Sequence, residues 1–329
     1  SIDPWVMGSL TLGIEDDHGV GIEEAFVQST SLPHGLTLKG GRFFSSVGYQ
    51  NEQHAHARDF VDAPFVQQAF LNGQYAQDGA QVKWVLPTLQ YVELGAELGN
   101  GKAYPGADRN SNKPGATVLF ARTGDDIGDS HSWRLGLSWM RTRSADRLWG
   151  GAGHDHEGDE HADDSRSFSG TSRLWVIDGV WKWAPHGNAS SSSFKLQGEY
   201  FHRTENGTAT VVEADVSEEG DYRSSQSGWY VQGVYQFMPR WRLGLRHDQL
   251  HPGTVRTALA ELVRQTRVVI TTVGPYTRHG TALATACAQA GTDYVDLCGE
   301  PLWMAQMIRQ LQAPAAASGA RIVFSCGFD

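Results

Sequence analysis

The first 250 residues of this 329-residue chain lack cysteine, and all three cysteines follow, at Cys287, Cys298 and Cys326. No run of 18 or more apolar residues occurs, which argues against a transmembrane helix. Membrane-crossing strands are not excluded, because they are only half apolar. A G-x-G-x-x-G motif between a strand and a helix is also missing, so the usual pyrophosphate-binding turn of a dinucleotide fold is not in view.

Charge and aromatic content change near residue 250. Residues 251–329 hold six Arg, no Lys and five acidic residues, whereas ten of the eleven Trp precede them. A Cys-free, acidic, Trp-rich region suits an oxidising envelope compartment, and free thiols suit the cytosol. We therefore predict two domains of different origin, residues 1–250 and residues 251–329, that meet at Leu250.

Regular alternation of apolar and polar residues dominates the first region. In Trp133–Arg141, WRLGLSWMR, every second residue is apolar up to Trp139, which is the period of a half-buried β-strand. We predict about eleven strands and no long helix. The other ten predicted strands are Ser9–Glu15, Gly21–Ser29, Gly35–Phe43, Gln81–Leu86, Gln90–Leu98, Ala116–Arg122, Arg173–Trp183, Ser193–Phe201, Gly228–Phe237 and Arg240–Arg246.

Two architectures fit this alternation. A soluble β-sandwich alternates in the same way. A partial transmembrane β-barrel accounts better for charges at mid-strand, because a water-filled lumen solvates them and a dry sandwich core does not. These charges are Glu93, Glu97, Asp178 and Glu199. Aromatic residues at strand ends favour the barrel too, since membrane barrels carry aromatic girdles; they are Trp139, Trp181, Trp183, Tyr200, Trp229 and Trp241.

Several phrases of the first region point to one protein family. Leu36–Leu71 contains GGRFFSS and then GYQNEQHAHARDFVD, and QVKWVLPT, YVELGAELGNGKAYPG and SHSWRLGLSWMRT follow. These phrases resemble a family of Gram-negative outer-membrane porin-like proteins, sometimes labelled zinc-regulated or TonB-dependent receptors. The resemblance implies an outer-membrane barrel, with lipid as a partner, that passes or binds a small solute or metal ion. An odd number of strands cannot close the usual bacterial barrel, so we expect an N-terminal part to be missing.

Two groups of histidines are candidate metal ligands. The first lies in the acidic, glycine-rich stretch GGAGHDHEGDEHADD and comprises His154, His156 and His161. Imidazole and carboxylate groups together suit Zn²⁺, although this irregular spacing also fits a solvated acidic loop. The second group is His54 and His56, which share one face of an extended segment. They are either a metal pair or anchors that hold a loop by hydrogen bonds.

The last 79 residues alternate helical segments with continuous apolar ones. The predicted order is a helix over Val255–Arg264, a strand over Val268–Val273, a helix stopped by Gly291, a strand in TDYVDLCGE, a helix from Pro301 to about Gln312 that Pro314 ends or kinks, and a strand in RIVFSCGFD. This order is typical of a doubly wound parallel sheet. The predicted fold class of the chain is therefore mainly antiparallel β, as a partial transmembrane β-barrel, followed by a partial α/β Rossmann-like parallel sheet.

The phrases VVITTVGPYTRHG, CAQAGTDYVDLCGE and IVFSCGFD resemble the saccharopine dehydrogenase-like NAD(P)-binding family, which includes trans-acting enoyl reductases. The resemblance implies NAD(P) as a cofactor, bound outside the carboxyl ends of the parallel strands. It places two sets of residues in that crevice, Thr272, Val273, Gly274, Pro275 and Tyr276 on the nicotinamide side and Asp296, Gly299 and Glu300 at the border. Cys298 or Cys326 is a candidate nucleophile, although buried strand cysteines are more often inert.

The two regions imply incompatible settings, an outer membrane for residues 1–250 and the cytoplasm for residues 251–329. We predict a porin-like or receptor-like barrel fragment joined to an inactive piece of a reductase, with no catalytic residue assigned and no nucleic-acid partner. The alternative function is an NAD(P)-dependent oxidoreductase fragment that carries the barrel as a passenger. The join itself is either an artefact of two truncated coding segments or a natural fusion. Without a glycine-rich turn, very weak dinucleotide binding or none is expected.

Overall fold

The computed structural model describes residues 4–15, 19–109, 111–148, 165–213, 216–257, 263–272 and 275–326. The chain divides into two compact units. The first comprises residues 1–147, 168–206 and 224–254, and the second comprises residues 148–167, 207–223 and 255–329. We call the eleven-stranded sheet with its covering segment the β region, and residues 263–326 the α/β region.

Eleven antiparallel strands build the β region, as the alternation predicts. Each strand pairs with its neighbours in chain order, from β1 to β11, and in the described residues β1 and β11 form the two edges of an open sheet. The strands are β1 Val6–Glu15, β2 Gly19–Ser29, β3 Leu36–Phe44, β4 Ala76–Val85, β5 Tyr91–Gly99, β6 Ala116–Ile127, β7 His131–Leu148, β8 Ser165–Trp183, β9 Ser193–Glu213, β10 Val216–Met238 and β11 Trp241–Thr257.

The alternation in this sheet is inverted relative to a sheet in a water-soluble protein. On β5, Glu93 and Glu97 are 8% and 1% exposed, whereas Leu94 and Leu98 are 40% and 53% exposed. Because successive side chains point to opposite faces, one face of β5 is charged and buried while the other is apolar and exposed. Arg122 of β6 lies directly opposite Glu93, so the buried charges are paired across strands.

A segment between β3 and β4, residues 45–75, covers the buried polar face; we call it the inward segment. It contains a 3₁₀ turn at Ala55–Ala57 and the short helix α1, Phe65–Leu71, which the sequence pattern does not predict. Its apolar side chains join strand residues in one core. The members of this core include Val47, Val66, Phe70, Leu71 and Tyr75 from the segment, and Val118, Phe120, Met140, Leu174, Val176, Phe201 and Tyr230 from the strands.

The sheet curls around the inward segment. His54 of the segment contacts Glu24 of β2, and the Phe65 backbone N–H donates to Asp248 of β11. In a flat sheet, β2 and β11 would be about 43 Å apart, given strand spacings of about 4.8 Å. His54 and Phe65 are only eleven positions apart, and the chain between them includes a 3₁₀ turn, so this stretch is too short to bridge that distance. The sheet that both residues contact is therefore strongly concave.

The α/β region contains the predicted parallel sheet. Its strands are β12 Val268–Thr271, β13 Asp293–Asp296 and β14 Ile322–Val323, and its helices are α2 Tyr276–Ala290 and α3 Pro301–Ser318. Val269, Tyr294 and Ile322 lie in register on the face that packs against both helices. Ile270 and Val323 lie on the other face and are exposed, so in the described residues helices cover one side of the sheet only.

The predicted start of a helix at Val255 is wrong. Residues 255–257 continue strand β11, whereas the pattern predicts that a helix begins at Val255. The predicted domain boundary at Leu250 therefore falls inside a strand, and the division into compact units falls between Thr254 and Val255. In residues 255–257, the contacts of a long antiparallel partner strand outweigh the local helical spacing.

Helix α3 also runs further than predicted. Pro314 lies inside it, and the helix ends at Ser318 with Gly319 in the left-handed conformation, φ 82°. The Gly319 backbone N–H donates to the Ala315 carbonyl at 2.8 Å, which closes the C-terminus. Three alanines after the proline favour continuation, since a proline removes only one N–H from the ladder.

In the part of the chain that the structure describes, no α-helix combines the length and hydropathy that a membrane crossing requires.

Candidate functional site

The carboxyl ends of β12, β13 and β14 lie side by side because the strands are parallel. Thr271 and Asp296 are partners at the ends of β12 and β13. The loops that leave these strands bring together Thr272, which is exposed, Tyr276 and Asp296, which are buried, and Gly299, which is exposed. This crevice is the candidate site.

Asp296 ties two of these loops together. Its carboxylate accepts hydrogen bonds from the Cys298 backbone N–H at 3.0 Å, the Ser325 backbone N–H at 2.8 Å and the Tyr294 hydroxyl at 2.9 Å. Its backbone carbonyl accepts from Cys326 N–H at 2.7 Å. Because the side chain is fully buried and its oxygens have protein donors, Asp296 shapes the crevice and does not offer a free carboxylate to a ligand.

Tyr276 begins helix α2 and turns its ring into the protein. Its hydroxyl donates to the Thr271 carbonyl at 3.1 Å and accepts from the Leu297 backbone N–H at 3.3 Å. Its ring packs on Trp303 with centroids 5.6 Å apart. The hydroxyl is thus used to join the ends of β12 and β13, and the backbone at residues 275 and 276 is what the crevice presents.

Glu300 reaches from the loop after β13 to the start of α2. Its two carboxylate oxygens accept from the backbone N–H of Tyr276 at 2.6 Å and of Thr277 at 2.9 Å. Hydrogen bonds from Thr277, followed by that from Tyr276, lower the pKa of Glu300. The carboxylate therefore stays ionised at neutral pH, next to the positive end of the helix dipole.

The two buried thiols are poor nucleophiles. Burial is the main reason that the pKa of Cys298 is raised, and its sulfur accepts from Glu300 N–H at 3.3 Å. Burial also raises the pKa of Cys287 to about 11. Since the thiolate is the reactive form, both side chains are protonated and unreactive at neutral pH. Cys326 is exposed.

The residues assigned to the cofactor by resemblance are partly brought together. Thr272, Pro275, Tyr276, Asp296 and Gly299 lie around the strand ends, and a Cβ at Gly299 would meet no atom within 4 Å. Val273 and Gly274 lie outside the described residues. The assignment of these residues to NAD(P) stays a prediction. The link from Glu300 to α2 was not predicted, because nothing in a sequence pattern connects a loop carboxylate to another helix.

These residues fit one end of a dinucleotide only. An open glycine and an exposed threonine leave room beside the strand ends for a planar ring. The first amides of α2, the place where a helix usually holds phosphate, already bind the Glu300 carboxylate. The start of α2 therefore does not fit a pyrophosphate, and the assignment of the open strand ends to the nicotinamide side stays a prediction.

The structure describes one of the two histidine groups, His54 and His56. His154, His156 and His161 lie outside the described residues. Among the residues with described positions, no group of three or more His, Cys, Asp or Glu is arranged to hold a metal ion. His54 lies between two carboxylates of β2, 3.5 Å from Glu23 and 3.1 Å from Glu24, and stacks on His56. These contacts support the anchoring role and leave zinc binding by His54 and His56 a prediction.

A second polar constellation lies in the β region, where Glu97 holds the inward segment. Its carboxylate accepts from the Ser45 hydroxyl at 2.6 Å, the Ser46 backbone N–H at 2.8 Å, Gln77 at 2.6 Å and Gln81 at 2.7 Å. Four donors around one buried carboxylate offset the loss of its hydration.

Glu199 of β9 holds the same segment further along. It accepts from the backbone N–H groups of Tyr49 and Gln50 and from the Gln67 side chain at 2.9 Å. Arg122 of β6 donates to the Ser46 carbonyl at 2.8 Å.

A cavity of about 640 Å³ lies at one end of β6–β11. Its charged lining residues are Asp59, Asp126, Asp129, Lys182, Lys195 and Arg242.

Comparison with known proteins gives a family match for the last part of the chain. Residues 242–323 match the family of the saccharopine dehydrogenase NADP binding domain. A putative trans-acting enoyl reductase of Mycobacterium tuberculosis is 53% identical over 73 residues, which are 22% of this chain and 17% of that protein. The trans-acting enoyl reductase of Mycobacterium ulcerans is 52% identical over 82 residues, 25% of this chain and 19% of that protein.

A longer match is to a protein without a described function. An uncharacterized protein of Aquifex aeolicus is 28% identical over 268 residues, 78% of this chain and 53% of that protein. The chain thus spans about half the length of this relative and less than a fifth of the mycobacterial ones. The high-pH structure of Pseudomonas putida OprB covers 71% of this chain and 74% of its own at 11% identity, with a TM-score of 0.26, too low to establish a common fold.

Proposed function

We propose that the α/β region is a piece of an NAD(P)-binding oxidoreductase domain of the saccharopine dehydrogenase type. The observation that carries this proposal is the crevice at the ends of β12 and β13, where an open glycine, Gly299, directly precedes Glu300, whose carboxylate holds the start of α2 in place. Ligands of parallel α/β sheets bind at such strand ends. The match of residues 242–323 to an NADP binding domain supports the same assignment.

In this proposal the chain supplies the ring side of the cofactor site. The backbone at 272 and 275–276 forms one wall, and Gly299 leaves space on the other. Asp296 and Tyr276 use their polar groups for loop contacts, so neither serves as the acid or base of the proposed reaction.

Titration of the full chain with NADPH, followed by the fluorescence enhancement of the reduced nicotinamide, tests this function. We expect weak saturable binding that is lost in Gly299→Phe, because a Cβ at this position meets no atom within 4 Å and the added ring would fill the space proposed for the cofactor. Gly40→Phe is the matched control, since a Cβ at Gly40 of β3 also meets nothing within 4 Å. Absence of any saturable enhancement, or equal binding in Gly299→Phe, would overturn the proposal.

A second function is favoured by a separate observation. We propose that the β region is a partial outer-membrane barrel whose lumen is narrowed by the inward segment and passes a small polar solute. The inverted alternation carries this proposal, because apolar side chains face outward on strand after strand. These residues include Leu98, Leu119, Leu137, Trp175, Ile177, Leu196, Val231 and Leu243, each more than a third exposed.

The physical reason is that a large apolar face is unfavourable in contact with water, whereas a buried charged face is unfavourable without partners. An apolar surface that extends over eleven strands far exceeds the patches of a few hundred Å² that soluble monomers tolerate. Lipid removes that cost, while ion pairs and the inward segment supply partners for many of the charges of the opposite face. The charged cavity at one end of β6–β11 is the proposed mouth of the lumen.

Gel migration in detergent before and after boiling tests the membrane proposal. A folded barrel resists the detergent and migrates faster until boiled, so we expect two band positions. Conductance across planar lipid bilayers then tests passage of solute. A chain that stays soluble and monomeric without detergent, with one band position, would show that the outward apolar face meets something other than lipid.

A further inference from the structure

We propose that Glu300 is a positioning residue that caps helix α2 from a different loop, fixes the strand-end turn of the crevice, and closes that helix terminus to phosphate. The capping itself is independent of the cofactor, whereas its use in positioning rests on the proposed NAD(P) function. Each of the two long helices of the α/β region lacks a hydrogen bond from the side chain of its own N-cap residue.

Glu300 is the N-cap residue of α3, yet its side chain does not turn back onto α3. The first residue of α3 is Pro301, which has no N–H to donate, so the start of that helix needs one donor fewer satisfied. The carboxylate is therefore free to reach α2. There it accepts from Tyr276 N–H at 2.6 Å and Thr277 N–H at 2.9 Å, one donor for each oxygen.

The N-cap residue of α2 is Pro275, whose side chain has no acceptor. Without Glu300, the first two amides of α2 would lose their only protein partner in the described structure. A helix start without a cap frays, and here fraying would release Tyr276, whose hydroxyl joins Thr271 of β12 to Leu297 after β13. One carboxylate therefore holds both strand-to-helix turns that border the crevice.

The same geometry decides what the helix terminus binds. The amides that a phosphate would use are taken by a carboxylate, and its negative charge repels a second anion at contact distance. The terminus of α2 is thus filled by the chain itself. Removing the carboxylate while keeping the turn should create an anion site where none exists in the parent protein.

Hydrogen–deuterium exchange of the full chain, read on peptides that cover residues 275–290, tests the proposal without any cofactor. In Glu300→Ala we expect faster exchange in the first turn of α2, by about 2- to 30-fold, the range for a lost N-cap. Added inorganic phosphate or acetate should restore protection in Glu300→Ala and leave the parent unchanged. Glu300→Gln should lie between the two, because an amide oxygen still accepts one hydrogen bond.

Asp293→Ala is the matched control. Asp293 also binds a backbone N–H, that of Arg321 at 2.9 Å, but at the amino end of β13. It should loosen residues near 321 and leave the first turn of α2 protected, with no response to phosphate. Unchanged exchange of α2 in Glu300→Ala would overturn the capping role, and exchange that no anion restores would overturn the anion-site claim.

NADPH binding by the same variants separates this inference from the proposed function. If Glu300→Ala shows the exchange change and weaker NADPH binding, both stand. If the exchange change appears but NADPH binds neither the parent nor the variant, the cap stands and the cofactor function fails. If NADPH binds the parent and Glu300→Ala equally, the cap stands and its positioning role for the cofactor is wrong.

Discussion

The β region buries charged side chains beside its apolar core, whereas the buried side chains of the α/β region are mainly apolar. In the β region, Glu97 and Glu199 are buried and Leu98 is exposed. In the α/β region, Tyr294 and Met307 are buried in an apolar core. The difference shows that burial follows available partners and not polarity alone, because Glu97 and Glu199 each have three or more donors from the inward segment and its neighbours.

Each region also leaves one apolar face exposed, but at different scales. In the α/β region the exposed face is one side of a three-stranded sheet, at Ile270 and Val323. In the β region it runs along an eleven-stranded sheet. One further layer of chain can cover a face of the first size, whereas the proposed membrane function assigns lipid to a face of the second size.

The largest effect is expected from Glu97→Leu. The substitution keeps the volume but leaves four donors without an acceptor, and each costs about 1–3 kcal/mol when buried. We expect a loss of several kcal/mol in the unfolding free energy of the β region, measured by denaturant titration in detergent with tryptophan fluorescence.

Asp125→Leu, at an exposed position of β6, is the control and should change that free energy by less than about 0.5 kcal/mol. If Glu97→Leu is as stable as the parent, the polar face is not held by this carboxylate, and the contrast between the two regions loses its physical basis.

The next effect sharpens the contrast between the two exposed faces. Leu137 of β7 is 46% exposed and Leu302 of α3 is 88% exposed. If lipid covers the outward face of the β region, Leu137→Arg costs about 2–4 kcal/mol of folding free energy in a bilayer. Leu302→Arg should cost nothing measurable, because that residue faces water. Refolding yield into lipid vesicles, followed by heat-modified migration, measures both, and equal yields would place both leucines in the same solvent.

A smaller effect is expected inside α3. Pro314→Ala restores one N–H to a helix that already continues to Ser318, so we expect the α/β region to gain up to about 3 kcal/mol. Thermal unfolding followed by helix-sensitive circular dichroism measures the gain. A loss of stability would mean that the proline is needed where it stands, for instance to relieve crowding at a kink.

The sequence predicted the elements better than their contacts. The eleven strands were predictable because a period of two survives in each of them, even where the polar side faces inward, as at Glu97. The parallel sheet was predictable from continuous apolar strands such as Val268–Thr271. Helix α1 was not, because seven residues carry too little periodicity to separate a helix from a loop.

The candidate site shows the same limit. That Thr272, Tyr276 and Asp296 lie together follows from a general property of parallel sheets, whose strand ends share one edge. The sequence does not predict that the Tyr276 hydroxyl points away from the crevice. This direction depends on hydrogen bonds to the backbone of Thr271 and Leu297, which lie across two loops. The continuation of β11 to Thr257 was missed for a related reason, because pairing with β10 is a long-range contact.

The smallest predicted effect is a pH dependence of hydrogen exchange in the first turn of α2, which Glu300 caps. We expect it in the α/β region only. The pKa of Glu300 is lowered in the folded protein by hydrogen bonds from Thr277 and Tyr276. A lowered folded-state pKa means that the cap contributes stability above the unfolded value of 4.5 and loses it as the pH falls through the folded value. Exchange in the first turn of α2, corrected for intrinsic rates, should therefore rise relative to the rest of the helix below about pH 4.5.

Glu300→Gln should show no such step, because its amide does not titrate. A step of equal size in Glu300→Gln would assign the acid response to another carboxylate, with Asp293, whose pKa is lowered by Arg321, as the first to test.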